Sequence, residues 1–266
     1  MRIPSSRSRY WREKRARGLP LFAAACASPA EGTAAMEWSP DLIVYHPAFP
    51  DGSMQGDTGM LSSLVSSGNA NREAEAGVAA MLPLCAPCPV AMGACGTDPF
   101  LLPGPALAAW RSIGVEGLIN FPTIGLVDGY FREDLEASRL DMSREAAFLR
   151  QAREEGFFTV AFACRPEDAV MMADAGCDAL ILHLGLTAQA GPRPLASARK
   201  DVLPAYLSAL KGKGSEPLIL LHGDHIVSPA DEAAWKDFAP GGNGCDGLFA
   251  AGGSARVAAL RALAGP

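Results

Sequence analysis

The sequence lacks three features, and each absence excludes a class of protein. No stretch approaches the ~18–20 consecutive apolar residues of a membrane-spanning helix, so we expect no membrane partner. The turn after the first predicted strand has no Gly-x-Gly-x-x-Gly pattern, which argues against a dinucleotide-binding fold and a nucleotide cofactor. Cys85 and Cys88 have no second CxxC pair, so a structural zinc or redox role is not favoured.

Basic residues are scarce outside the N-terminus. Residues 1–18 hold seven Lys or Arg and one Glu, whereas the rest of the chain holds 16 basic and 28 acidic residues. An acidic body is a poor nucleic-acid surface, so we expect no nucleic-acid partner. We interpret residues 1–18 as a basic leader helix or tail, with a targeting signal as the alternative, and residues 19–266 as one domain. The odd count of seven cysteines indicates free thiols in a reducing compartment, so we expect a cytoplasmic protein.

The body of the chain reads as eight alternations of a short apolar strand and a helix. Nearly continuous apolar runs are typical of parallel strands that are buried on both faces. Eight such units predict a single (βα)8 TIM barrel, with a doubly wound open sheet as the alternative. The predicted strands span 19–26, 41–47, 89–95, 117–123, 157–164, 179–185, 217–223 and 247–253. The predicted helices span 71–82, 105–113, 143–155, 165–176, 200–211 and 254–264, with another that opens at 228, whereas segment 30–39 is only weakly patterned. Trp110 and Met172 are predicted to pack against the sheet.

In such a barrel the active site lies at the C-terminal ends of the strands. All four histidines lie at or just after the C-terminal ends of predicted strands, and His183 and His222 are candidates for an acid and a base. Gly223 follows strand seven, and two glycines with a serine open the last helix. These residues resemble the phosphate-binding site of TIM barrels, so we expect them to bind an anion. The alternative is that the small residues only allow tight turns. The predicted anion-binding residues are Gly223, Gly252, Gly253 and Ser254.

Four segments carry a resemblance to a known family. They read CGTDPF at 95–100, NFPTIGLVDG at 120–129, FREDLE at 131–136 and HLGLT at 183–187. Together they resemble the phosphoenolpyruvate hydrolase-like TIM-barrel family, which also forms the C-terminal domain of a plant virus-resistance protein. The resemblance implies a barrel of the phosphoenolpyruvate/pyruvate-handling superfamily. Several mouth loops depart from the family pattern, among them HGDH at 222–225, which implies either a different substrate or lost activity.

Two functional hypotheses follow. In the first, the protein is a hydrolase or lyase that acts on a small phosphorylated or carboxylated acid of the phosphoenolpyruvate or 2-oxo acid type. Its expected catalytic residues are Asp98, His183 and His222, with Asp98 holding Mg²⁺ or orienting a histidine. Its expected substrate-binding residues, besides the anion site, are Thr97, Asn120, Thr123 and Thr187. In the second, a homo-oligomeric barrel senses a metabolite or binds a protein without turnover.

Overall fold

A computed structural model describes residues 6–46, 68–183, 202–214, 216–222 and 245–250 of the chain. Eight parallel strands form a closed barrel in sequence order, because each strand pairs with the next and β8 pairs with β1. The predicted TIM barrel is confirmed. The strands are β1 (Leu21–Cys26), β2 (Leu42–Tyr45), β3 (Val90–Ala94), β4 (Gly117–Asn120), β5 (Phe158–Ala163), β6 (Ala179–His183), β7 (Leu218–His222) and β8 (Gly247–Ala250).

Helices surround this barrel, and their ends follow from local chemistry. For example, α7 (Pro166–Asp174) has Pro166, Glu167 and Asp168 in its first turn, where acidic side chains interact favourably with the helix dipole. The N-cap of α6 (Met142–Glu154) is Asp141, whose carboxylate accepts the amide of Arg144. The described helices are α1 (Ser6–Ala16), α2 (Pro29–Met36), α3 (Ala70–Cys85), α4 (Pro103–Ser112), α5 (Gly129–Ala137), α6 (Met142–Glu154), α7 (Pro166–Asp174) and α8 (Leu203–Leu210).

Two apolar layers form the core, one inside the barrel and one between strands and helices. Successive strand residues point to opposite faces, so Val44 belongs to the inner cluster while its neighbours Ile43 and Tyr45 belong to the outer one. Trp110 and Met172 lie in the outer layer, which confirms their predicted packing role. This alternation determines which strand-end side chains can reach a site in the barrel mouth.

The N-terminal end of the barrel is closed by α1. Trp11 is 2% exposed, contacts the ring of Phe158 edge-on at 5.2 Å, and donates a hydrogen bond from Nε1 to the backbone oxygen of Asp41 at 3.0 Å. The carboxylate of Asp41 also accepts the ammonium group of Lys14 at 2.7 Å. Helix α1 is therefore tied to this end of the barrel, and its indole packs among the inward-facing strand residues.

Some predicted bounds differ from the structure. Strand four was expected to reach residue 123 but ends at Asn120, just before Pro122, which has no amide hydrogen to donate to a neighbouring strand. The weakly patterned segment 30–39 contains helix α2, and α5 was not predicted. The expected helices at 228 onward and 254–264 lie outside the described residues, as do the predicted ends of strands two, six, seven and eight. Among the described helices, none is long and apolar enough to cross a membrane.

Candidate functional site

Three histidines lie at the C-terminal ends of strands, and each continues the inward-facing positions of its strand. His46 follows Val44 of β2, His183 follows Ile181 of β6, and His222 follows Leu220 of β7, two residues later in each case. The rings of His46 and His222 contact inward-facing phenylalanines, and the ring of His183 contacts that of His222. We call this group the mouth cluster, and its members are His46, Phe121, Phe162, His183, His222 and Phe249.

Two histidines of the mouth cluster, His183 and His222, contact each other. They are register partners on adjacent strands, and their ring centroids are 5.1 Å apart. The Nδ1 atom of His222 lies 3.2 Å from the backbone oxygen of Phe249. Because a carbonyl oxygen can only accept, this contact assigns the proton of neutral His222 to Nδ1. The Nε2 atom of His222 then carries a lone pair that can accept a proton.

The two histidines differ in their surroundings. His183 is 7% exposed, and burial, together with the charge of His222, lowers the pKa of His183 to about 3. His183 is therefore a neutral imidazole at neutral pH, able to donate one hydrogen bond and accept another. Its neighbour His222 is only half-buried. The pair therefore combines the ring of His183, which is neutral at neutral pH, with the more exposed ring of His222.

Asn120 lies at the end of β4 with its side chain on the helix-facing side of the barrel wall. Its Oδ1 accepts the amide of Phe162 at 2.7 Å, and its Nδ2 donates to the backbone oxygen of Phe162 at 3.2 Å. Nδ2 also donates to Oε2 of Glu145 at 2.7 Å and lies 3.3 Å from Oγ1 of Thr123. Asn120 is 1% exposed and thus joins β4, β5 and α6.

Glu145 on α6 is the centre of this polar group and is fully buried. Its Oε2 accepts hydrogen bonds from Asn120 and, at 2.8 Å, from the hydroxyl of Thr123, while Oε1 accepts the amide of Ile124 at 2.9 Å. Burial raises the pKa of Glu145 to about 7, against the effect of these donors and with a further contribution from the charge of Asp168. Glu145 therefore titrates near neutral pH.

A buried ion pair holds α5 to the barrel. Arg132 is the one buried residue of α5, and its Nη2 lies 3.0 Å from Oδ1 of Asp168 on α7. Arg132 also donates to the backbone oxygen of Ile124 at 3.3 Å. Burial raises the pKa of Asp168, and the charge of Arg132 opposes that rise. The loop between β4 and α5 is thus fixed from two sides, by Glu145 and by Arg132.

The loop after β3 uses its polar side chains internally. Oδ1 of Asp98 accepts the amide of Phe100 at 2.9 Å, and Oδ2 accepts Nδ2 of Asn71 at 3.1 Å. Thr97 is half-buried, with Oγ1 3.6 Å from Sγ of Cys95. Asp98 thus stabilises a turn, and both of its oxygens keep a further lone pair.

The side chains that could hold a metal ion do not gather at one point. Within the described ranges, there is no group of three or more His, Cys, Asp or Glu side chains that could hold an ion. Both carboxylate oxygens of Asp98 already accept amide donors, so the described residues do not form a magnesium cage. We therefore derive no step of any reaction through a metal.

The structure brings some of the predicted site residues together and separates others. His183 and His222 share the barrel mouth, Asn120 and Thr123 share the Glu145 group behind the wall, and Asp98 lies in the loop after β3. The remaining predicted binding residues lie outside the described residues, namely Thr187, Gly223, Gly252, Gly253 and Ser254.

Glu145 and Arg132 were not predicted as site residues, although the sequence position of Glu145 could have indicated its role. It occupies a position of the buried stripe of α6, between Met142 and Leu149, where an apolar side chain is expected. A carboxylate on a buried helix face needs partners, and strand-end polar residues such as Asn120 are the nearest source.

Comparison with known proteins decides the family. The profile of the phosphoenolpyruvate hydrolase-like family matches residues 11–264, nearly the whole chain. The chain belongs to this family. Its match begins inside the basic N-terminal segment, at the same Trp11 that closes the barrel.

Relatives of known sequence and structure agree with this assignment. The ToMV resistance protein Tm-1(GCR237) and the susceptible protein tm-1(GCR26), both of Solanum lycopersicum, are each 35% identical over 159 residues, which is 58% of this chain and 21% of the tomato proteins. The match therefore spans about a fifth of those relatives.

Two solved structures share the fold. One is 2,3-dimethylmalate lyase, a member of the PEP mutase/isocitrate lyase superfamily, with a TM-score of 0.55 and 15% identity over 92% of this chain and 80% of the lyase. The other is phosphonopyruvate hydrolase in complex with oxalate and Mg²⁺, with a TM-score of 0.53 and 15% identity over 97% of this chain and 84% of the hydrolase. These likenesses show that the chain shares its fold with the two enzymes.

Proposed function

We propose that the barrel is an enzyme that hydrolyses or cleaves a small phosphorylated or carboxylated acid, of the phosphoenolpyruvate or 2-oxo acid type. The observation that supports this most is the pair His183 and His222 at the mouth, with rings 5.1 Å apart. The family supports a small anionic metabolite as ligand. The names of the two structural neighbours, a lyase and a hydrolase, support the reaction classes.

The two histidines take different roles in this proposal. His222 has its Nδ1 proton directed to Phe249, so its Nε2 accepts a proton from the substrate or from water. Neutral His183 donates a hydrogen bond to a substrate oxygen, since its low pKa makes it a weak proton acceptor. The glycines and serine of the predicted anion site hold the charged group, together with Thr97 and Thr187. Asn120 and Thr123 support the site from behind the wall through Glu145.

A ligand panel tests the proposal. Thermal unfolding would be measured with phosphoenolpyruvate, phosphonopyruvate, oxaloacetate, malate and inorganic phosphate, each with and without Mg²⁺. A ligand at ~100 times its Kd adds about 2.7 kcal/mol, which raises Tm by roughly 5–10 °C in a domain of this size. We expect one acid to produce such a rise and then to be consumed in a turnover assay. No rise with any acid would contradict the proposal.

Variants connect the ligand to the histidine pair. His222→Ala should abolish turnover while the raised Tm with ligand persists in part, because acid/base loss affects the chemical step more than binding. Gln151→Ala on the outer helix α6 is the matched control and should retain both properties. Equal turnover in His222→Ala and the wild type would refute the assignment of His222.

A second function is favoured by one observation. A pKa of about 3 makes His183 a hydrogen-bonding group at neutral pH, as suits a barrel that binds a metabolite without turning it over. Such a sensor would bind one acid of the panel, lose affinity in His183→Ala, and leave the acid unchanged. In either case we propose a cytoplasmic homo-oligomer, which sedimentation would test.

A further inference from the structure

Glu145 lies outside the barrel wall, and its hydrogen bonds go to the end of β4 and to the loop that follows it. It accepts the side chain of Asn120 at the end of β4 and the backbone amide of Ile124 in the following loop. Asn120 in turn bonds to both the amide and the carbonyl oxygen of Phe162 on β5. One buried carboxylate therefore helps to set the positions of two adjacent strand ends.

Those strand ends carry aromatic rings of the mouth cluster. Phe121 directly follows Asn120, and its ring centroid lies 4.1 Å from that of His46 and 5.6 Å from that of Phe162. The ring of Phe162 lies 5.9 Å from that of His222. A displacement of Asn120 therefore moves the rings against which His46 and His222 pack.

We infer that Glu145 is a positioning residue for the histidines of the mouth, acting through Asn120 and the rings of Phe121 and Phe162. The inference rests on the proposed function only because it treats these histidines as the functional groups of the site. The link from Glu145 to the histidines rests on the contacts given above. A buried acid is costly to retain in a helix stripe where an apolar side chain would pack, so its three hydrogen bonds indicate a specific use.

The shape of the contacts predicts how substitutions behave. All three partners donate to Glu145, and a glutamine has one acceptor oxygen and one donor group at its end. In Glu145→Gln, one of the three donors must face the NH₂ group of the glutamine, so that donor loses its hydrogen bond while the others keep theirs. In Glu145→Ala, all three donors lose their acceptor.

Histidine NMR tests this inference without any substrate. Ring signals of ¹³C-labelled histidines would be recorded for the wild type, Glu145→Gln, Glu145→Ala and the matched control Glu154→Gln, an exposed glutamate of the same helix. Signals are assigned with single His→Ala variants. We expect the His46 and His222 signals to shift in Glu145→Ala, to shift less in Glu145→Gln, and to stay in place in Glu154→Gln.

The outcomes distinguish a role of Glu145 in positioning the histidines from a role in stability alone. A merely structural role would lower Tm yet leave the histidine signals of the folded protein unchanged, and that result in folded Glu145→Gln or Glu145→Ala would overturn the inference. If Glu145→Ala does not fold, Thr123→Ala replaces it, because it removes one of the three donors. If the signals follow Glu145 while no acid of the panel binds, the positioning role stands and the proposed function fails.

Discussion

Glu145 should give the stability of this protein an unusual dependence on pH. Burial raises the pKa of its carboxyl from the ordinary 4.5 to about 7, so the folded state binds more protons than the unfolded state between these values. Stability contributed by protonated Glu145 is present below pH 4.5 and is lost as pH rises through about 7. At about 1.4 kcal/mol per pKa unit, the loss amounts to about 3 kcal/mol.

His183 acts in the opposite direction and must be separated from this effect. Its pKa falls from 6.5 to about 3 on folding, so its contribution is present above pH 6.5 and is lost as pH falls towards 3. A profile of the wild type alone would mix the two groups. The difference between the wild type and Glu145→Gln removes His183, because both proteins keep it.

The assay is urea unfolding followed by circular dichroism, at several pH values between about 5 and 8. At the acidic end we expect Glu145→Gln to be less stable by about 1–3 kcal/mol, because one buried donor loses its acceptor. The deficit should shrink by about 3 kcal/mol towards the alkaline end, because glutamine avoids burying a charge. Parallel profiles for the two proteins would refute the reasoning, since they would show that Glu145 titrates equally in both states.

Three further predictions follow from the fold. Trp11→Ala should lower the free energy of unfolding in urea by about 3–5 kcal/mol, because Trp11 is buried. Tyr130→Ala is the control and should change it by less than about 0.5 kcal/mol, because Tyr130 is 86% exposed. Equal effects of the two substitutions would contradict closure of the barrel end by α1. Arg132→Ala should cost about 3–5 kcal/mol by leaving Asp168 buried without its cation, and Asp168→Asn should restore part of that loss; no rescue would contradict the ion pair. All seven thiols should react with a thiol reagent in denaturant. In the native protein the buried thiols should react slowly, namely those of Cys26, Cys85, Cys177 and Cys245. Rapid labelling of these four in the native protein would contradict their burial.

The barrel could be predicted because its strands are locally encoded. Continuous apolar runs identify strands buried on both faces, and the order of strand and helix leaves few closed topologies. Helix α6 was predicted within one residue at each end, since its apolar stripe and acidic N-cap are both visible in the sequence. Helix α5 was not predicted, because only Arg132 of its residues is buried and it has no apolar stripe to recognise.

The candidate site was only partly predictable, for a related reason. Strand order places all strand-end residues at one end of the barrel, so His183 and His222 could be selected. Which face each side chain takes depends on strand register, and this puts Asn120 behind the wall while Phe121 faces the mouth. Glu145 is 25 positions beyond Asn120 in the chain, so no local pattern connects the two.

The most direct test of the proposed site is a titration of the labelled protein with each acid of the panel, observed through the histidine ring signals. We expect one phosphorylated or carboxylated acid to shift the His183 and His222 signals saturably, because their rings share the barrel mouth. In His222→Ala, in which binding persists in part, the same acid should still shift the His183 signal, but only at higher concentration. Signals of both histidines that stay fixed with every acid, in a protein that remains folded, would contradict the account.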